Sequence, residues 1–183
     1  TSRYILQISE ILSKEKLYFK KLDLKFIENI LKQKVADPKK IALQLAKQKV
    51  YSVVKNYPEH IIIGSDQVLV CDGVLINKPD SLQQGIYNLL SLRNKTHELA
   101  SSLYVIRKKK FFYKQVKTAK IFFKNITKET IEKYAEINEE TVMTTVGSYK
   151  IEENHKHKFL TIISGDTETI IGFPVKNFLE KLK

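Results

Sequence analysis

The sequence predicts an α/β domain in which a mixed sheet is flanked by helices around a ligand cleft. Three observations carry that expectation. Helical and strand-like segments alternate along the chain, in the order α, β, β, α, β, β, α, β, α. A continuous β-branched run, Ile61-Ile62-Ile63, reads as a strand buried on both faces. The pair Asp72-Gly73, between Val68–Val70 and Val74–Ile76, marks a tight hairpin and hence antiparallel neighbours.

Taken in order, the first clear helix starts at Asp37-Pro38, since Asp is a good N-cap and Pro suits the first helical position. Ala42, Leu45, Ala46, Val50, Val53 and Val54 recur with helical spacing, which predicts a helix running to Tyr57-Pro58. The strand from Ile61 is expected to end in Gly64-Ser65-Asp66, and the Asp-Gly hairpin follows. Asp80 is the expected cap of a helix carrying Leu82, Ile86, Leu89 and Leu90. Thr96 to Ile106 and Phe111 to Phe123 suit two antiparallel strands, with Lys108, Lys109 and Lys110 as the hairpin tip. Thr127 caps a helix through Ile131, Tyr134 and Ala135. Phe159–Ile163 is a strand, Gly165-Asp166 a turn, and Pro174 opens a last helix with Val175, Phe178 and Leu179.

The 183 residues suit a single domain, or one with two lobes around a cleft, and 43% hydrophobic residues exclude wholesale disorder. Cys71 is the one cysteine, so no disulfide scaffold is available within the chain, and its hairpin position reads as a small apolar filler. No apolar run approaches the ~20 residues of a membrane span. The expected setting is therefore cytoplasmic, with no membrane partner. The net charge of +12 invites a nucleic-acid reading. Against it, only Arg3, Arg93 and Arg107 are arginine among 32 positive residues, and arginine is the usual reader of base edges. Nucleic acid is not expected as the main partner. His60, His97, His155 and His157 show no zinc spacing, and neither a P-loop, a G-x-G-x-x-G nor a G-x-S-x-G elbow is present.

Two residues stand out on physical grounds. Asp66 follows a buried strand, where α/β sheets bind ligands, and a carboxylate there can hold a metal ion or take a proton from water. From position alone, a turn Asp capping local amides is the commoner reading. Lys49 falls in register with the apolar stripe of its helix and interrupts it, so it must snorkel or meet an anion. It reads as a point charge for phosphate or as a stem over the core edge. Lys78 precedes Pro79, which biases it to an extended conformation.

The ordered segments go further. Gly64-Ser65-Asp66-Gln67-Val68, Asp72-Gly73 and Lys78-Pro79 resemble the central signature of the Maf family. Leu45-Ala46-Lys47-Gln48-Lys49 resembles its L-A-x-x-K helix, and Lys95-Thr96-His97-Glu98 its R-T-H-E segment. Gly147-Ser148-Tyr149-Lys150-Ile151-Glu152 resembles its G-[SA]-Y-x-x-[QE] segment, and Gly165-Asp166 with Ile171-Gly172-Phe173-Pro174 its closing motif. The resemblance implies a fold similar to the inosine triphosphate pyrophosphatases. It also implies metal-dependent cleavage of a nucleoside triphosphate between the α- and β-phosphates, with clearance of modified or surplus nucleotides and a link to septum formation. Asp66 would be the proton acceptor. Lys49 and Lys78 would neutralise the triphosphate, and Ser2 would contact phosphate from its loop. Glu152 would lie near the base or the metal, and Glu28 and Asp66 would hold magnesium or manganese. A homodimer is the common assembly.

The chain departs from that pattern at Ile5 and Leu6, where arginines are expected, leaving Arg3 to reach the same anion; at Asn94, where Gly is usual; and at Glu153, again for Gly. The alternative reading is a catalytically weakened nucleotide-binding homologue with a regulatory role in cell division. Glu152 in place of Gln leans away from the thymidine/uridine subgroup and towards the 7-methyl-GTP subgroup or relatives of unassigned base preference.

Overall fold

The computed structural model describes residues 37–182. Helix α1 (Pro38–Tyr51) begins where the sequence places it: the Asp37 carboxylate accepts from the Lys39 amide at 2.9 Å. It ends six residues before Tyr57-Pro58. The Ser52 hydroxyl donates to the Lys49 carbonyl at 2.8 Å, and the Val53 amide reaches back three residues to Val50. A serine bonding its own backbone ahead of two β-branched residues turns the chain out of the helix.

Strand β1 (Ile61–Cys71) and strand β2 (Val74–Ile76) form the hairpin that the Asp-Gly pair predicts. Asp72 and Gly73 stand at φ 50° and 77°, the left-handed pair a two-residue hairpin needs. Helix α2 (Leu82–Leu92) is capped by Ser81 rather than Asp80, its hydroxyl accepting from the Gln84 amide. Strands β3 (Lys95–Arg107) and β4 (Lys110–Phe123) turn at Lys108-Lys109, both with positive φ. Helix α3 (Lys128–Ile137), capped by Thr127, and helix α4 (Glu139–Thr144) follow. Two 3-10 turns, Val146–Ser148 and Ile151–Glu153, lead to the one-turn helix α5 (Asn154–His157). Strand β5 (Leu160–Ser164), helix α6 (Thr167–Ile171) and helix α7 (Lys176–Leu182) complete the fold.

The five strands make one sheet in the order β2-β1-β3-β4-β5, and every pairing among the described residues is antiparallel. Side chains alternate across it. On one face, Val68 and Ala100 pack on Ile41, Ala42 and Leu45 of α1, and Tyr104 and Ile106 on Ala46 and Val50. On the other, Leu69, Cys71, Leu99, Ala119, Ile121 and Phe123 meet α2, α3 and α4, while Leu103 and Val105 meet α7.

This alternation corrects the expected position of Asp66. The strand does not end at Gly64-Ser65-Asp66; it runs through them to Cys71, with Asp66 opposite Ser102 in register. A strand reads as ending where glycine and polar residues begin, but here the polar residues are held inside the sheet by neighbours on both faces. Gly64 explains how α1 lies so close. A Cβ there would stand 2.3 Å from the Ala46 carbonyl oxygen and 2.7 Å from Val50 Cγ2. The collision is with helix backbone, which cannot turn aside. Gly64→Ala is therefore expected to lower stability by about 2–3 kcal/mol, read as a fall in the urea midpoint at unchanged slope.

Candidate active site

The even-numbered residues of β1 face α1, and Asp66 is the one carboxylate among them. Lys49, on the facing side of α1, meets it: Nζ lies 2.8 Å from Asp66 Oδ2. The anion that an interrupted apolar stripe demands is thus supplied by the chain itself. The same ammonium donates to the Ser65 carbonyl at 3.1 Å. The other carboxylate oxygen, Oδ1, accepts the Gln67 amide at 2.7 Å. The lysine side chain is 29% exposed and the aspartate 14%, so the pair is sheltered yet reachable from solvent. The strand β2 covers only Leu69–Cys71 of β1. Ser65–Gln67 therefore have no strand partner on that side among the described residues, and their backbone groups serve the ion pair instead.

Behind Asp66, on the opposite face, lies a polar cluster that sequence reasoning missed. The Ser65 hydroxyl lies 2.6 Å from the Gly172 carbonyl and 2.8 Å from that of Ser102. Gln67 Nε2 is within 3.0 Å of Ser101 Oγ and of the Thr169 and Ile170 carbonyls. Ser101 in turn donates to the Thr169 carbonyl at 2.6 Å. The legible signal was Ser101-Ser102, two small polar residues in an apolar strand, both fully buried. Asp166 caps α6, accepting from the Thr169 amide and hydroxyl, with Lys117 at 3.0 Å. Burial works to raise its carboxyl, but these donors outweigh it and leave the group below its ordinary range.

The other predicted residues fall as follows. Lys78 is exposed in the segment after β2, and Glu152 is exposed on the 3-10 turn Ile151–Glu153. That turn follows Tyr149, whose ring packs beside Phe123 on the face away from α1. Ser2 and Glu28 lie outside the described residues, as do Arg3, Ile5 and Leu6. A cavity of about 310 Å³ is lined by Pro38, Val70, Asp72, Thr96, His97, Glu98 and Lys120. Lys49, Asp66, Lys78 and Glu152 are not among its lining; Val70 stands four residues along β1 from Asp66, roughly 13 Å away. Among the described residues no three His, Cys, Asp or Glu side chains converge as a metal cage. Cys71 is buried, which pushes its thiol up and suits the filler reading.

A carboxylate and an ammonium in contact on a strand of an α/β fold, partly exposed to solvent, make a candidate site for an anionic ligand and a proton. The chain matches the sequence model of the Maf-like protein family over residues 9–183, and it belongs to that family. A nucleoside triphosphate pyrophosphatase of Paramagnetospirillum magneticum is 30% identical over 162 residues, covering 88% of this chain and 83% of its own length. One of Nitrobacter winogradskyi is 33% identical over 143 residues, with 78% and 70% covered. A 7-methyl-GTP pyrophosphatase of Bartonella quintana is 32% identical over 151 residues, with 82% and 76% covered.

His97, from the Lys95–Glu98 segment, is structural. It is 1% exposed, with Nε2 2.5 Å from the Tyr149 hydroxyl. Burial holds the imidazole down to about 4 and pushes the Tyr149 phenol well above its usual value. Between the ordinary histidine value near 6.5 and 4, the unfolded chain binds the proton that the fold refuses. Stability is therefore expected to fall as pH drops through that window, by up to about 3 kcal/mol from this group. His97→Gln should flatten the slope, as read from urea midpoints at pH 7, 5.5 and 4.5.

Proposed function

We propose that the chain is a nucleoside triphosphate pyrophosphatase, a hydrolase that splits the anhydride between the α- and β-phosphates to release a nucleoside monophosphate and pyrophosphate. The observation that carries the reading is the Lys49–Asp66 contact, in a member of a family whose curated relatives bear that name. In this reading Asp66 accepts the proton of the attacking water as the oxygen–phosphorus bond forms, and pyrophosphate leaves with the electron pair of the broken anhydride bond. Lys49, already fixed by the Ser65 carbonyl, offsets negative charge on the phosphates without reorganising. Lys78 joins it from the segment after β2, and Ser2 contacts phosphate. Glu152 lies by the base. The overall charge of +12 favours encounter with a polyanion.

The reading includes magnesium or manganese. Magnesium is commonly held through one or two carboxylates, with phosphate oxygens and water filling the remaining positions. Asp66 fits as one such carboxylate by the chemistry of its donor atoms, a hard oxygen ligand still 14% exposed to solvent beside Lys49. Glu28 is the second carboxylate of the proposal. Bound there, the cation would supply Lewis-acid polarisation and neutralise phosphate charge.

The test is a product assay over ordinary and methylated nucleoside triphosphates with magnesium or manganese. The expected product is pyrophosphate, not single phosphate. Asp66→Asn should lower kcat by about a thousandfold or more while the circular dichroism spectrum stays the same. Tight nucleotide binding with no turnover across the panel would instead favour a nucleotide-binding homologue.

A further inference from the structure

The two residues flanking Asp66 each work on both faces of the sheet. On the α1 face their backbone groups hold the ion pair: the Ser65 carbonyl accepts from Lys49 Nζ, and the Gln67 amide donates to Asp66 Oδ1. On the opposite face their side chains grip the C-terminal end of α6. Ser65 Oγ reaches Gly172 O, and Gln67 Nε2 reaches Thr169 O and Ile170 O. The carbonyls of Ile170 and Gly172 lie where the helix runs out of amide donors, and that of Thr169 also accepts from the Gly172 amide at 3.2 Å. A side-chain amide offers two N–H donors, and here they are shared among three acceptors, Ser101 Oγ being the third. Gly172, at φ 92°, packs against the Gln67 side chain; a Cβ there would come within 3.4 Å of Gln67 Cδ.

We infer that Gln67, seconded by Ser65, is a positioning residue that fixes the Asp66 carboxylate against Lys49 by fastening β1 to the end of α6. The inference rests on the reading of Asp66 as proton acceptor. Its physical content is a chain of contacts with no free joint. The end of α6 holds the Gln67 side chain, the Gln67 amide holds one carboxylate oxygen, and Lys49 holds the other. Residues 165–174, some hundred positions away in sequence, thereby set the geometry of the site. A carboxylate displaced by about 1 Å costs up to about a hundredfold in rate. Substrate held by charge alone is far less sensitive to such a shift. Gln67 therefore acts on kcat rather than on KM.

The experiment compares three single variants with the wild type. Gln67→Leu keeps the size of the side chain and removes its donors. Ser65→Ala removes one hydroxyl and covers the case in which Gln67→Leu fails to fold. Thr127→Ala removes the cap of α3, remote from the site, and matches a loss of stability without touching β1. With GTP, UTP and 7-methyl-GTP plus magnesium, Gln67→Leu is expected to lower kcat about 10- to 100-fold with KM within about threefold. Ser65→Ala should lower it less, and Thr127→Ala should stay within about twofold of wild type. A second readout needs no turnover: the coupling between Lys49→Met and Asp66→Asn in urea unfolding. That coupling should shrink by half or more in the Gln67→Leu background, or in the Ser65→Ala background, and stay unchanged in Thr127→Ala. Unchanged kcat and unchanged coupling in Gln67→Leu would overturn the inference while leaving the proposed function standing. A wild type that releases no pyrophosphate, but whose coupling depends on Gln67, would overturn the function and not the positioning.

Discussion

The contact on which the rest depends joins Lys49 to Asp66. It ties α1 to β1 between the apolar patches that Val68 and Ala100, and Tyr104 and Ile106, make with the helix. Neither group belongs there by itself: a lysine on a buried stripe and a carboxylate on the facing strand each cost free energy unless matched. Matched, they convert two liabilities into a preformed pair of opposite charges at a sheltered position. A pair this sheltered contributes modestly to stability, because much of its attraction offsets desolvation. In the proposed reaction its value lies in fixed orientation, which chemistry on a phosphate needs more than raw affinity.

The surrounding structure serves that orientation from three directions. Gly64 lets α1 approach until Lys49 can reach across. Strand β2 pairs only with Leu69–Cys71, and at Ser65–Gln67 the Ser65 carbonyl and the Gln67 amide hold the pair instead. The end of α6 braces the same three residues from behind. Strand, helix and closing segment therefore meet around one aspartate, which gives the Leu45–Lys49, Gly64–Val68 and Gly165–Pro174 motifs a common spatial reason.

Much of this was legible from residues alone, and the failures have identifiable causes. Lys49 was readable because it breaks a stripe set by Ala42, Leu45 and Ala46; periodicity exposes an exception. What it would meet was not readable, since pairing across α1 and β1 is a matter of tertiary register. Asp66 was found for its neighbours but placed at a strand end, because Gly64-Ser65 looks like a stop signal and only the opposite strand reveals that pairing continues. The α1 end was misplaced because Val53 and Val54 keep the apolar spacing after Ser52 has turned the chain. The α2 cap shifted from Asp80 to Ser81, two adjacent residues that local chemistry barely separates. Ser101 and Thr169 escaped notice because small polar residues acquire meaning only from what they face. The roles of Lys78 and Glu152 rest on the family pattern, as do those of Ser2 and Glu28 outside the described residues.

The most direct test of the central claim is a double-mutant cycle on turnover. Lys49→Met, Asp66→Asn and the double variant are compared by pyrophosphate release in single-turnover kinetics. If the two side chains act as one unit, the double variant is hardly slower than Asp66→Asn alone, and the single losses are far from multiplicative. Losses that multiply would show that the two residues act independently, and the account built on their contact would be wrong.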